Sequence, residues 1–570
     1  GLSNMNYAQN EKLIFFEGKF GKHYLKREFY KYLQKDFDFE DRKKYLYKND
    51  YYMGQYVVLN KSDEDVDIKI EVGDLTSDID IIKSENIEIR FSKDSLCPIG
   101  VGYQWGVLPD FPKENIPDIL DYSDKAKLEK NSLRGFYIFI KSNPNTKPGI
   151  YKGNLNLKSN EENLTLPIEV EVIDLEVDKN DFAINLWQYP FTIARYYGIS
   201  DDELFKEKHL EILREHLRVY KSIGGNSITT TIEDDPWYQQ TYDKYPSMVK
   251  EIIKDGKVDY DFSYFDAYVD LAIEEGIDGG IMAFSLADWY ENDRKDEGLV
   301  LGLKPGSKEW EEYWNRFLEI FIDHLDSKGY FEKTYIAVDE RSPEILEAVL
   351  KVLSKHKNKD GKTLKIASQL GYKKEFVHIY DKIDDISFGF IDIDADNEAY
   401  IKKRGDKLTT MYTCTGMYPN SFARSMPIES DWTILYANAI KAKGYLRWAL
   451  DAWVKDPLED VSHWWWEGGD PFLIYPADKD AENKRPRTSP RFEHLRYARS
   501  MVGKINYLAK NLDDEDKKEF LAIVRSMKQK PYISTDMGVK EADIGVKNAL
   551  YDEVINIYNA IYDYSKRLDL

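Results

Sequence analysis

Between residues 183 and 476 the chain repeats one local pattern. A short run rich in β-branched, aliphatic or aromatic residues is followed by a helix or a loop long enough to cross back. The runs fall at 183–187, 227–232, 280–286, 335–338, 364–370, 386–393, 408–414 and 444–449. Amphipathic helical spacing follows at 201–223, 262–275, 310–328 and 345–353. Strands joined by crossover segments must run parallel, because a tight hairpin can only make antiparallel neighbours. Eight such units predict a closed (β/α)₈ TIM-type barrel, which takes roughly 250 residues.

The flanking sequence follows other rules. Up to about residue 175 the strand-like segments are 12–16, 51–59, 66–72, 87–91, 135–140, 149–157 and 164–173. In the last, Leu164, Leu166, Ile168, Val170 and Val172 alternate with polar residues and so share one face. The turn-rich tract 142–149 separates two of them, as in a β-sandwich. The charged and aromatic stretch 24–47 has no assigned place in it. Beyond Pro490 the pattern is helical at 491–508, 513–527 and 542–568. The expected organisation is an N-terminal β-sandwich over 1–176, a catalytic barrel over 177–488 and a helical segment over 489–570 packed on the barrel.

Charge and composition narrow the function. A net charge of −22 repels phosphate backbones and no basic stripe offsets it, so nucleic acid is not an expected partner. No apolar run is long enough for a membrane span, so no membrane insertion is expected. Residues 1–4 lack the basic start and apolar core of an export signal, which favours the cytoplasm and leaves secretion open, since the chain starts without Met. Cys97 and Cys414 form neither a disulfide framework nor a zinc pattern. No His-Glu-x-x-His motif is present, and His209 with His216 are spaced as two positions on a helix surface. Asp392, Asp394 and Asp396 imitate a calcium loop, but Lys403 stands where a Glu is required. No metal and no cofactor are therefore expected. Aromatic residues make up 14% of the chain, enough to supply flat apolar faces for sugar rings as well as cores. In Trp464-Trp465-Trp466, such a wall would leave at least one indole in the core.

In a barrel of this type ligands bind at the carboxyl ends of the strands. Those ends carry Trp187, Glu233 to Trp237, Asp288 with Trp289, Asp339 with Glu340, Asp392, Tyr412 to Cys414, and Trp448 with Asp451. Carboxylates among aromatics on one rim describe a sugar-cleaving pocket, whereas a uniformly acidic protein would give only a solvated acidic rim. Trp187, Trp237, Asp288, Trp289, Asp392, Tyr412 and Trp448 are the candidate substrate-binding residues.

Asp339 and Glu340 are the candidate catalytic residues. They end the fourth run, just ahead of Ser342-Pro343, a capping residue followed by proline at the first helical position. Two-carboxylate glycosidases need a second acid facing the first. The seventh run, where barrel glycosidases often carry it, reads Leu408-Thr-Thr-Met-Tyr412-Thr-Cys414 and has none. Adjacent Asp and Glu suit a mechanism in which a 2-acetamido oxygen of the substrate is the nucleophile, Asp holds the acetamido N–H and Glu protonates the leaving oxygen. The alternatives are a two-carboxylate glycosidase whose partner acid is Asp288, Asp392 or Glu467, and a non-catalytic glycan-binding protein. Successive strand residues point to opposite faces, so both carboxyls can serve one pocket only if the strand breaks between them.

Several linked motifs resemble glycoside hydrolase family 123. They are Asp339-Glu340, Tyr412-Thr-Cys414 with Pro419-Asn420, and Gly444-Tyr-Leu-Arg-Trp448 with Trp453 and Asp456-Pro457. Gly468-Gly-Asp470-Pro-Phe-Leu-Ile-Tyr475-Pro476 and Ser489-Pro-Arg491-Phe-Glu493-His-Leu-Arg496 follow. The resemblance covers roughly 180–510 and, through Gly149-Ile-Tyr151-Lys-Gly153, reaches the sandwich. It implies a β-N-acetylgalactosaminidase: an exo-acting, retaining enzyme that releases terminal β-linked N-acetylgalactosamine from glycans such as glycolipid oligosaccharides through an oxazolinium intermediate. By it, Asp339 orients the acetamido group, Glu340 is the acid/base, and Tyr412 and Trp448 line the pocket. The chain departs from the family at 502–507, where relatives carry an acidic stretch. Aglycone, galacto against gluco preference and oligomeric state are not written in these motifs.

Overall fold

The computed structural model describes residues 7–98, 112–160, 162–238, 240–289, 302–370, 374–390, 404–405, 407–414, 418–528, 534–535, 538–539 and 544–570. Two sheets face each other in the N-terminal part. One has the order Tyr7–Gln9, Leu13–Glu17, Tyr51–Asn60, Ser132–Lys141, Ile87–Pro98, Lys113–Leu120. The other runs Lys125–Leu128, Val66–Val72, Gly149–Ser159, Glu162–Val172, Tyr45–Leu46. The expected alternation holds: Leu164, Leu166, Ile168, Val170 and Val172 are all buried between the sheets, against Phe15, Val58 and Phe136. The short strands Tyr7–Gln9, Lys113–Leu120 and Lys125–Leu128 are additions that the apolar pattern does not reveal.

Stretch 24–47 has a structural role. Its Tyr24, Phe29, Tyr32 and Phe37 pack on Ile14, Phe16, Val57 and Leu59, covering the outer face of the first sheet. It then supplies Tyr45–Leu46, which pairs in parallel with the edge of the second sheet.

The barrel forms as expected from eight parallel strands. Strands one to eight are Ala183–Leu186, Ser227–Thr231, Gly280–Phe284, Thr334–Asp339, Lys365–Leu370, Asp385–Gly389, Leu408–Tyr412 and Gly444–Arg447. Their spatial order is one, eight, seven, six, five, four, three, two. The seam between strands one and two has a single backbone bridge, Ile184 with Gly225. Side chains complete it. Gln188 donates from Nε2 to Ser227 O (3.2 Å) and accepts at Oε1 from Thr229 N (2.9 Å). The Tyr220 hydroxyl accepts from Ser227 N (3.2 Å) and donates to Ser227 O (2.9 Å).

The crossovers are less regular than the strands. A hairpin, Lys250–Lys254 with Lys257–Asp261, precedes helix Ser263–Glu274. Only single 3₁₀ turns, Lys374–Phe376 and Tyr380–Lys382, are described between strands five and six. Helix Glu207–Ser222 corrects the reading of its histidines as surface positions. His209 and His216 lie on the same stripe as Ile212, Leu213, Leu217 and Tyr220, and all are buried. Histidine is neutral enough to join an apolar stripe when its ring nitrogens find partners. His209 Nε2 meets Pro190 O (2.9 Å) and His216 Nδ1 meets Asp451 Oδ2 (2.9 Å).

Helices Pro490–Asn511, Asp514–Val524 and Ile544–Asp569 follow strand eight, and the first packs beside helix Ile428–Ala439. Arg491, wholly buried, joins the two halves of the molecule. Its Nε and Nη2 donate to Asp118 of the sandwich (3.0 and 2.6 Å), while Nη1 donates to the carbonyls of Ser421, Gly469 and Phe472. Glu493, two residues further along the helix, accepts from Arg90 of the sandwich (3.2 Å) and from Thr488 (2.6 Å). Among the described residues no helix is long and apolar enough to cross a membrane.

Candidate active site

Strand four ends at Asp339. The next residue, Glu340, has φ 47°, a left-handed conformation that is costly for a residue with a Cβ. Its N–H still reaches Gln369 O on strand five (3.2 Å). The chain then enters helix Pro343–Ser354 as the sequence requires, with Pro343 in the first turn and Ser342 Oγ accepting from Ile345 N (3.4 Å). The break in alternation demanded by two adjacent working carboxyls therefore sits between the two residues in question.

Asp339 is buried and Glu340 is exposed. Burial, reinforced by the neighbouring Glu340 charge, pushes the Asp339 carboxyl well above the usual range. Both acids also act on the far side of the barrel mouth. Cys414, just beyond strand seven, has its thiol pushed up by burial first, then by the charges of Glu340, Asp470 and, more weakly, Asp339. Tyr189, beyond strand one, is likewise raised by burial and then by Asp339, Asp451 and Asp470. Strands one, four, seven and eight thus converge on one space.

The floor of that space is organised by Arg447, the last residue of strand eight and wholly buried. It donates to Thr413 Oγ1 (3.1 Å), Asn420 Oδ1 (2.7 Å) and Asp470 Oδ1 (2.7 Å). Asp470 Oδ1 also accepts from Trp448 Nε1 (3.3 Å), which fixes the indole, and Tyr189 donates to Trp448 O (2.5 Å). Trp448 is half-buried and stands edge-on to Tyr189, ring centroids 6.5 Å apart. Tyr412 is buried at the end of strand seven. Arg447 and Asp470 were not singled out in sequence, although both lie within motifs that carried the family resemblance.

Other candidates are placed differently. Trp187 and Trp237 stack at 5.5 Å, both against Phe284, and are 1% exposed each, so they form an aromatic layer under the rim with no open face. Trp289 is buried and its backbone N–H donates to Pro236 O (2.6 Å), tying the loop after strand three to the loop after strand two. Glu467, a candidate second acid, is buried in a two-point ion pair with Arg424 (2.8 and 3.0 Å). Asp392 and the calcium-like loop lie outside the described residues. Trp466 is in the core as expected, Trp465 is half-buried, and Trp464 is exposed with its ring stacked on His463.

A second group occupies the ends of strands two, three and four. Glu233 is buried with neither carboxylate oxygen hydrogen-bonded, Asp288 is buried with Oδ1 unbonded, and Arg341 has a buried, unbonded Nε. Burial, then Asp288 and Asp234, raises the Glu233 carboxyl well above its usual range. Burial raises Asp288 to about 6, with Arg341 opposing it. Among the described residues no group of three His, Cys, Asp or Glu side chains is arranged to hold a metal ion.

Comparison with known proteins places the chain in a family. Residues 187–508 match the glycoside hydrolase 123 catalytic domain and residues 18–159 match the glycoside hydrolase 123 N-terminal domain. A family 123 glycoside hydrolase from Clostridium perfringens, whose structure was analysed for glycolipid glycan hydrolysis, is 32% identical. The similarity covers 98% of this chain and 99% of that one, with a TM-score of 0.89. A β-glucuronidase from Parabacteroides merdae is 11% identical over 80% of this chain and 50% of that one, with a TM-score of 0.29, too low to support an argument. Among curated proteins none matches.

Proposed function

The chain belongs to glycoside hydrolase family 123 and is a glycosidase, and from that premise we propose that it releases terminal β-linked N-acetylgalactosamine, with retention, using the substrate's acetamido group as nucleophile. The observation that carries this reading is the left-handed Glu340 directly after Asp339, paired with a strand seven that ends at Tyr412 and is followed by Thr413 and Cys414. Two carboxyls at one strand end can take complementary roles in one pocket, and residues 408–414 carry no carboxylate where a two-acid enzyme would often hold its nucleophile. The pairing of Glu467 with Arg424 further weakens the two-carboxylate alternative.

Glu340 gives its proton to the glycosidic oxygen while the acetamido carbonyl oxygen attacks the anomeric carbon, forming the oxazolinium ring and releasing the aglycone. Asp339 accepts the acetamido N–H and bears on the positive charge that develops there. Water then attacks the anomeric carbon with Glu340 taking its proton, and the double displacement retains configuration. The first step needs Glu340 protonated and Asp339 charged. Burial alone pulls the other way, toward a protonated Asp339. An N–H donated to Asp339 favours its charged form, so the substrate itself selects the productive arrangement of the proton. Trp448, held by Asp470, and Tyr412 supply flat walls for the sugar. The Clostridium perfringens relative supports glycolipid glycans as the substrate class.

A panel of chromogenic glycosides tests the reading. Release from the β-N-acetylgalactosaminide and inhibition by its thiazoline mimic are expected. Efficient cleavage of sugars that lack the acetamido group, or inversion at the anomeric carbon, would overturn it.

A further inference from the structure

We infer that Glu233 and Asp288, set against Arg341, form a clamp for the ring hydroxyls of the terminal sugar, at the edge of the ring away from the anomeric carbon. The inference rests on the proposed glycosidase site and adds the residues that recognise the sugar. The three side chains lie just past three neighbouring strands, two, three and four. Both oxygens of Glu233, Oδ1 of Asp288 and Nε of Arg341 are buried without a hydrogen-bond partner. Arg341 acts electrostatically on both acids, yet among the described residues it makes no ion pair with either within 4.0 Å. Native structures satisfy nearly all such groups, and one cluster with four unsatisfied atoms marks a place built for another molecule.

The composition of the cluster selects that molecule. Two carboxyls disfavour an anion, and a guanidinium within their electrostatic reach disfavours a metal cation. A hydroxyl both donates and accepts, so vicinal hydroxyls can bridge carboxyl and guanidinium and satisfy each. Shielding from bulk water is what gives such a contact discriminating power, because water cannot replace a missing hydroxyl cheaply. The direction of the chain agrees. Glu340 acts toward Cys414 beyond strand seven, while Arg341, the next residue, acts toward Glu233 and Asp288 beyond strands two and three. The anomeric carbon belongs at Glu340, so the far edge of the ring falls to the cluster. The backbone beside the cluster is strained, as is common at functional sites: Asp235 and Tyr238 share with Glu340 a left-handed φ, at 48°, 42° and 47°.

The test is a cycle between enzyme and substrate. The kcat/KM of the wild type, Glu233→Gln and Asp288→Asn is measured on the p-nitrophenyl β-N-acetylgalactosaminide and its 3-, 4- and 6-deoxy analogues, with thermal unfolding as the check on folding. The wild type is expected to lose about 100-fold or more on at least one deoxy sugar. A variant should lose about as much on the parent sugar and only a few-fold further when that hydroxyl is also absent. Equal losses on the parent and all deoxy sugars would overturn the clamp and leave the pair only holding Arg341. Should a variant fail to fold, the wild type decides alone: cleavage of all three deoxy sugars within a few-fold of the parent overturns the proposal. Failure of the underlying reading looks different, since the wild type would then cleave a glycoside without an acetamido group, and the deoxy series is run on that sugar. No cleavage of any glycoside overturns both.

Discussion

Asp339 ends strand four in extended conformation, and Glu340 turns left-handed immediately after it, at φ 47°. Nothing in glycine-free sequence makes that turn easy, and a left-handed residue with a side chain costs on the order of 1–2 kcal/mol. The surrounding structure holds it through Glu340 N to Gln369 O on one side and the Ser342 cap on the other. On the proposed mechanism the strain has a use, since in regular strand alternation the two adjacent carboxyls would point to opposite faces.

The roles assigned to the pair predict different kinetics for their amides. Glu340→Gln should lower kcat/KM about 10³-fold on substrates with poor leaving groups and far less on a dinitrophenyl glycoside, which needs no protonation. Asp339→Asn should remain slow on both, because oxazolinium formation is impaired whatever the leaving group. Equal rescue of the two variants by the activated substrate contradicts the assignment.

Replacing Arg491 tests the joint between sandwich and barrel. Arg491→Met leaves the buried Asp118 without its ionic partner, with only the Tyr475 hydroxyl still donating to it, and should destabilise by about 3–5 kcal/mol, read as a lower midpoint in thermal unfolding. Adding Asp118→Leu should recover part of the loss, since the unpaired buried charge is then gone. A double variant less stable than the single would refute this account.

The seam between strands one and two makes Gln188 a closure element. Gln188→Leu keeps the volume, leaves Thr229 N without its partner and leaves Ser227 O with the Tyr220 hydroxyl alone, at a cost of about 1–3 kcal/mol. Hydrogen exchange should quicken at the Thr229 amide before it does on strands four and five. Unchanged protection there would show that the backbone alone closes the barrel.

Asp385, buried at the start of strand six, gives a pH prediction. Burial raises its carboxyl to about 7, with Arg404 opposing and Asp384 adding to the rise. The folded state therefore holds the proton more tightly than the unfolded state, and stability falls as pH rises from about 4 to about 7. Asp385→Asn removes that dependence. Its unfolding midpoint should match the wild type near pH 4 and exceed it near pH 8, where the advantage approaches about 4 kcal/mol. A constant difference across that range speaks against the assignment.

Legibility followed the range of the interactions. Strands four and five were readable because apolar runs and capping residues act over a few positions, and the Ser342-Pro343 start appears where it was read. The position of Asp339 and Glu340 at the end of strand four was readable for the same reason, their neighbourhood being local. The burial of Trp187 and Trp237 was not, since an indole at a strand end reads the same whether it faces sugar or another indole. His209 and His216 were misplaced because their helix stripe had to be judged against a barrel wall that the sequence does not display.

The sequence by itself determined the eight-strand barrel, the sandwich ahead of it and the strand end that carries the paired acids. These follow from periodicity, and periodicity is a property of the backbone over short stretches. Only the tertiary structure decided which distant side chains meet, Arg491 with Asp118 across 373 residues and Arg447 with Asp470, and that Glu233 and Asp288 lie within electrostatic reach of Arg341. Those meetings depend on how the barrel closes and how deeply each group is buried. The same closure turned Asp339-Glu340 from two adjacent letters into two carboxyls at one mouth, because the bend between them is held by strands that lie elsewhere in the chain.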